Sequence, residues 1–284
     1  MSGIISKLKF VPSMITCTSA LCGTLATFMA LSGDTGLVYA SYLILFASVC
    51  DFSDGFAARL LHAQSELGKQ LDSLADAISF GVAPTAIMFG LLKQALRANG
   101  ALWTLDWPII LVLVCSCFIV ICSVLRLAKF NIDPEQAYGF KGLPTPACAL
   151  LVASIPLINA MVPEDFWIYT VSHALCNADF PFGATIALIG LQVFVFGSAK
   201  FLLPMCILFS LLMVSNLPMF SLKMKSYKYS DNRLVYNFLI FAVISLIVLQ
   251  WIAVPLIIFS YVVVSFIRWL FNRKAKKSEN IDSL

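Results

Sequence analysis

Charge is what this sequence has least of. Of its 284 residues 12% are charged and 60% hydrophobic, and the mean hydropathy is +0.92. Soluble domains carry about 25% charged and 45–50% apolar residues. Too little polar surface remains to cover a water-soluble globule of this length. That excludes an ordinary cytosolic enzyme, an intrinsically disordered regulator and a secreted disulfide scaffold, and leaves an integral membrane protein made of spanning helices. Clusters of Lys and Arg on a soluble face are missing, so nucleic acid is not an expected partner. The nine cysteines form no C-x-x-C and a single C-x-C, at Cys115 and Cys117, and nearly all fall in apolar stretches. They read as small buried hydrophobes with free thiols. Internal repeats and low-complexity tracts are absent as well.

What the chain does have is long apolar runs. A hydrocarbon core of about 30 Å takes roughly 20 helical residues to cross. Segments of that kind fall near 14–32, 36–61, 72–96, 107–128, 144–162, 201–222, 234–250 and 252–271. The expected fold class is therefore all-α, a polytopic membrane helix bundle. A membrane core over 1–223 would be followed by two additional spans over 224–272 and a basic cytoplasmic tail over 273–284 with no fold of its own. Lys7 and Lys9 precede the first run with no A-x-A-like cleavage site after it, so the first span reads as retained. Residues 2–11 could lie along the interface as a short amphipathic helix.

The distribution of Lys and Arg sets the orientation, since cytoplasmic loops collect them. With eight spans and both termini inside, 16 of the 19 basic residues are cytoplasmic, and only Lys93, Arg97 and Lys200 lie outside. Counting 183–199 as an independent span would reverse the basic runs at 223–233 and after Arg268. That stretch is therefore expected to be an external hairpin or a re-entrant lead-in to the sixth span. Residues 163–182, with Glu164, Asp165 and Asp179 and no Lys or Arg, suit an external loop.

Acids near a membrane interior are costly and point to function. This chain has 15, and four of them, Asp51, Asp54, Asp72 and Asp76, occupy one 26-residue window. Spacings of i,i+3 and i,i+4 put each pair on one face of its helix. Bare carboxylates brought together repel one another, which divalent cations relieve; an all-oxygen set suits Mg²⁺ or Mn²⁺, with Ca²⁺ a third candidate. Two such ions can clamp a diphosphate. Gly55 and Ala58 leave a helix face without bulk beside Arg59, a natural phosphate ligand.

The run D-x-x-D-G-x-x-A-R-x8-G-x3-D-x3-D, from Asp51 to Asp76, resembles the signature of the CDP-alcohol phosphotransferases at every fixed position. The resemblance implies six core membrane helices, usually as a homodimer, that bind a CDP-linked donor at the cytoplasmic face and release CMP. By the same resemblance Asp51, Asp54 and Asp72 are metal ligands, and Asp76 is both a ligand and the general base. Thr16, Gly55, Ala58, Arg59 and Gly68 would contact the nucleotide. Pro12-Ser13 stands where the family usually has Pro-Asn, Ser19 where a second Asn is common, and Lys129 where Arg is commoner.

The acceptor has to be read elsewhere. Residues 71–84, 126–131, 142–147 and 215–223 resemble the phosphatidylserine synthases, the branch of that family joining CDP-diacylglycerol to L-serine. Serine carries a carboxylate that needs a cation, and Arg126, Asn131 and Lys141 fall at the cytoplasmic end of the fourth span or in the loop after it, on the same side as the acids. The expected activity is thus phosphatidyl transfer to serine, in a bacterial inner membrane by default, with membrane lipids around it. Glycerol 3-phosphate or inositol as acceptor, and a cation transporter with an acidic membrane site, are the alternatives. His62 and His173 form no H-x-K arrangement, which argues against the phospholipase-D-like serine synthases that use a covalent histidine.

Overall fold

The computed structural model describes residues 10–98, 107–132, 140–161, 198–220 and 232–282. The expectations for 2–9, for the external loop 163–182, for most of 183–199 and for His173 lie outside these residues. The described residues form α1 (Val11–Leu31), α2 (Asp34–Leu60), α3 (Glu66–Ala77), a π-helical turn (Ile78–Val82), α4 (Ala83–Ala98), α5 (Trp107–Ile132), α6 (Thr145–Ala160), α7 (Ala199–Val214), α8 (Arg233–Leu249) and α9 (Ala253–Asp282). Two-residue strands β1 (Phe140–Lys141) and β2 (Pro218–Met219) pair antiparallel, Phe140 with Met219 and Lys141 with Pro218.

A helical membrane bundle is what the composition called for. Five helical stretches among the described residues are long and apolar enough to cross a membrane, with α6 and α7 as shorter apolar helices. At 1.5 Å per residue, 16 residues reach only about 24 Å. Both are cut short by their flanks: α6 begins after Pro144, and α7 ends where Ser215 turns extended on the way to Pro218. α3, the π turn and α4 run on without a break, as one span. Between α8 and α9 the α-helix is interrupted at Gln250, whose φ of 51° a right-handed α-helix does not adopt, and a 3-10 turn over Gln250–Ile252 leads into α9. The basic run beginning at Arg273 was expected to be unstructured; instead it continues α9 to Asp282. Ala, Lys and Glu favour helix there, and nothing in the run breaks it.

Large apolar side chains such as Phe28, Phe46, Ile121, Ile247 and Val248 stay exposed on the outside of the bundle, as a lipid-facing surface requires. The eight cysteines among the described residues are free thiols. The core runs along α6, where Leu151 to Ile158 are all buried, against α2, α4 and α9.

The closest seam joins α1 to α2 and to the π turn. Small residues Ser19, Gly23, Ala26 and Ala30 of α1 face Ala40, Ile44 and Ala47 of α2 in the same buried core. In lipid, where apolar burial drives little association, such small residues let backbones approach and hold helices by packing and hydrogen bonds. Ser19 Oγ donates to Ala47 O (3.2 Å), and Ser79 Oγ donates to Ser19 O (2.9 Å). A Cβ on Gly23 would stand 2.6 Å from Ser79 Cα, a backbone atom that cannot step aside. Gly23→Ala should therefore destabilise by about 1–3 kcal/mol, read as a lowered thermal unfolding midpoint of the detergent-purified protein. An unchanged midpoint would show that the seam is slack.

Candidate active site

Depth is matched on two helices. Asp51 lies nine residues before the end of α2 and Asp76 ten after the start of α3, so each is about 14–15 Å from the connecting turn. Hydrogen bonds fix that turn at both ends. Ala63 N–H donates to Ala58 O (3.0 Å) and His62 N–H to Arg59 O (3.3 Å), with His62 at φ 48°. This is a Schellman closure carried by a residue other than glycine. Ser65 then caps α3, accepting from Gly68 N–H at 3.0 Å, with Glu66 in the first turn.

The result is a carboxylate cluster. One oxygen from each of Asp51, Asp72 and Asp76 lies within 4.8 Å of the others, all three side chains partly buried. Oxygens around one octahedral Mg²⁺, at about 2.1 Å from the ion, are roughly 3–4 Å apart, so small side-chain adjustments suffice and the donor set fits a hard divalent cation. Asp54 stands apart from the three. It is buried, 5% exposed, and its Oδ2 accepts from Thr16 Oγ1 at 2.6 Å, a hydroxyl that also lies 3.0 Å from Pro12 O. Thr16, expected at the nucleotide, thus ties α1 to an acid of α2 as well.

α2 and α3 both pack on α1 yet make few close contacts with each other. The space between them is a cavity of about 620 Å³. α1 contributes Thr16, α2 contributes Asp54, Gly55, Ala58 and Arg59, and α3 contributes Gly68 and Asp72. Every residue expected at the nucleotide therefore lines one space, and Asp72 belongs to both cavity and cluster. A Cβ on Gly55 would meet nothing within 4 Å among the described residues, whereas one on Gly68 would come 3.1 Å from the capping Ser65 Oγ. Gly55 thus keeps room for something outside the chain. Gly68 also serves the cap.

On the other flank of α3 stands α5. Asn131 Nδ2 donates to Ser73 Oγ at 2.9 Å, next to Asp72. Arg126 is 8% exposed, donates from Nη1 to Thr145 Oγ1 (3.2 Å) and lies within electrostatic reach of Asp76. Its Nε is buried without a hydrogen-bond partner among the described residues. Lys129 Nζ reaches Val214 O at 3.5 Å, near the end of α7. The backbone of Lys141 is held in β1. Ser65, Ser73 and Thr145 were not singled out from sequence. Ser65 could have been, as a Ser three residues ahead of Gly68 at a helix start; Ser73 and Thr145 are hydroxyls whose partners come from distant helices.

A helical membrane bundle holding a carboxylate cluster beside a cavity with a mixed polar and apolar lining is the class of protein that the fold and the site define. The sequence model of the CDP-alcohol phosphatidyltransferase family matches residues 9–178, and the chain belongs to that family. It is similar to the CDP-diacylglycerol–serine O-phosphatidyltransferase of Bacillus subtilis (strain 168), 38% identical over 140 residues, 49% of this chain and 71% of that protein. The proteins of that name from Helicobacter pylori (strain ATCC 700392 / 26695) and Saccharomyces cerevisiae (strain ATCC 204508 / S288c) are 33% and 34% identical over 157 and 163 residues. Those matches take in 55% and 54% of this chain but only 60% and 50% of the relatives.

Because Gly55 borders open space inside a helix, Gly55→Ala should not lower the unfolding midpoint of the ligand-free protein. A methyl group intruding on a bound nucleotide should weaken CMP binding about tenfold, measured by calorimetry. Unaltered CMP affinity would place the nucleotide elsewhere.

Proposed function

We propose that this protein transfers the phosphatidyl group of CDP-diacylglycerol to the hydroxyl of L-serine, forming phosphatidylserine and CMP. The observation that carries the reading is the position of α3 between two unlike flanks. The cavity with Gly55 and Arg59 lies on its α2 side, Arg126 and Asn131 lie on its α5 side, and Asp76 belongs to the cluster between them. Family membership supports the donor, and the names of the relatives support the acceptor.

The cytidine diphosphate occupies the cavity, where Arg59 is placed for its phosphates and Gly55 and Ala58 admit its approach. Asp51, Asp54, Asp72 and Asp76 would hold two divalent ions, Mg²⁺ or Mn²⁺, with Thr16 orienting Asp54 through its hydrogen bond. When bound, the ions neutralise the carboxylates and the charge that develops on the diphosphate. Arg126, with its unpartnered Nε, binds the serine carboxylate, and Asn131 and Lys141 complete the pocket. Asp76 takes the proton of the serine hydroxyl as that oxygen attacks the phosphatidyl phosphorus. The bond from phosphorus to the CMP oxygen breaks, and CMP leaves with the electron pair.

The acyl chains of the donor stay in the bilayer, while cytidine and serine arrive from the cytoplasm. The placement of 16 of 19 basic residues on one side supports a cytoplasmic site and cytoplasmic termini in a bacterial inner membrane. A homodimer is the expected assembly.

Reconstituted protein with CDP-diacylglycerol, Mn²⁺ or Mg²⁺ and a panel of alcohols should release CMP with serine, and far less with glycerol 3-phosphate or inositol. CMP release that ignores serine would overturn the assignment. Chelation by EDTA should stop turnover and either ion should restore it; full activity in EDTA would remove the metals. Asp76→Asn should lower kcat by at least about 10²-fold while CMP binding stays within a few-fold of wild type. If that variant keeps most of its rate, another group is the base.

A further inference from the structure

Tyr261 is a buried phenol that no step above uses. It belongs to α9, outside the stretch that defines the family, and it is 8% exposed. Its hydroxyl donates to Phe220 O at 2.8 Å, while Phe220 N–H donates to Ser265 Oγ at 3.4 Å, one turn further along α9. Ser265 Oγ in turn donates to Tyr261 O at 2.8 Å. Both backbone groups of Phe220 are thus bound by one helix. Its ring packs on Tyr261, with centroids 4.7 Å apart, and on Phe238 of α8 at 5.3 Å.

Phe220 directly follows β2, and β2 is the floor on which β1 lies. Pro218 and Met219 pair with Lys141 and Phe140, Gly142 N–H donates to Leu217 O (2.9 Å), and Leu143 N–H donates to Leu212 O (3.0 Å). Gly142 sits at φ 76°, where a Cβ would come 2.5 Å from Met213 O, so this layer has no slack. Two residues past Leu143, Thr145 accepts the hydrogen bond of Arg126. A ladder of two residues per strand does not hold itself together; it needs an outside anchor. Tyr261 also lies within electrostatic reach of Arg126 itself. Packing alone does not call for a phenol here: Phe would fill the same space, and a hydroxyl buried in an apolar helix is costly unless it is bonded.

We propose that the α8–α9 pair is the buttress of the acceptor pocket, with Tyr261 as a positioning residue that fixes Phe220, and through the β2–β1 pair fixes Lys141 and the Thr145 partner of Arg126. It deepens the serine reading given above and rests on it. The donor cavity, built by α1, α2 and α3, shares no residue with this chain of contacts. Loss of the phenol hydroxyl therefore acts on serine and leaves CDP-diacylglycerol alone.

The test is steady-state kinetics on the full chain reconstituted in vesicles. Tyr261→Phe keeps the ring contacts and removes one hydrogen bond; Ser265→Ala removes the neighbouring one. Each should raise KM for serine about three- to tenfold, with KM for CDP-diacylglycerol, and kcat at saturating serine, unchanged. A serine KM equal to wild type in both variants would overturn the proposal. So would a parallel loss in donor KM and kcat, which marks general loosening of the bundle. Wild-type protein that releases no CMP with serine sinks the functional reading and this inference together, whereas an active wild type with unaffected variants sinks this inference alone.

Discussion

Three carboxylates share a few ångströms near the edge of an apolar bundle, and the rest of the structure answers to that crowding. At 4.8 Å and an effective dielectric near 20, each ionised pair repels by about 3–4 kcal/mol. Three such pairs approach the whole folding free energy of a typical domain. Among the described residues Arg126 comes within electrostatic reach of Asp76. Arg59 faces the cavity, and Arg126 is engaged with Thr145. A fold that keeps Asp51, Asp72 and Asp76 together has to be rigid enough to hold them against that repulsion, which the divalent ions proposed above would relieve.

That rigidity comes from the α1 seam. α1 touches α2, α3 and the π turn at once, and Gly23 and Ser19 allow the closest of these contacts. The π turn begins two residues after Asp76, and its Ser79 is the residue pressed against Gly23. A π turn widens the helix locally and is costly unless neighbours fix it. Here the fixing contacts are the hydrogen bonds between Ser79 and Ser19 and the packing of Gly81 against Ser123. The same element that seals the core thus sets where the helix carrying Asp72 and Asp76 enters it. Chemistry and packing are joined through one turn.

Sequence reading reached the acids because scarcity made them conspicuous: four Asp in 26 residues of an apolar chain, at helical spacing, leave few meanings. It reached the helices because uninterrupted apolar runs have one solution in lipid. It did not reach the π turn, since Ile78-Ser79-Phe80-Gly81-Val82 looks like any apolar helical stretch until its neighbours are known. Nor did it separate Asp54 from its three companions. The i,i+3 spacing with Asp51 says only that the two share a face, and Thr16 engages Asp54 from 38 residues away. The two-residue strands were equally hidden, because a ladder that short has no periodicity to read. The helical tail after Arg273 is hidden for another reason, since a charged run suits disorder and helix alike, and here propensity continues the helix.

The positions of these elements along the chain also separate two tasks. The family match ends at residue 178, and it contains all four acids, the cavity lining and Arg126. What it omits are α7, β2, α8 and α9, and these are the elements that hold β1 in place from the other side. A donor common to a family calls for a common cavity, and a common cavity calls for the seam of α1 with α2 and α3. An acceptor that differs between members calls for a pocket whose walls can be changed without disturbing the acids. In the function proposed above one wall of that pocket would stand on β1, and resting β1 on segments far along the chain would meet that need. Among the described residues α9 touches α6 and β2 but has no extensive contact with α1 or α3, so under the function proposed above a change in it would reach the acceptor side of Asp76 without passing through the residues that would hold the metals.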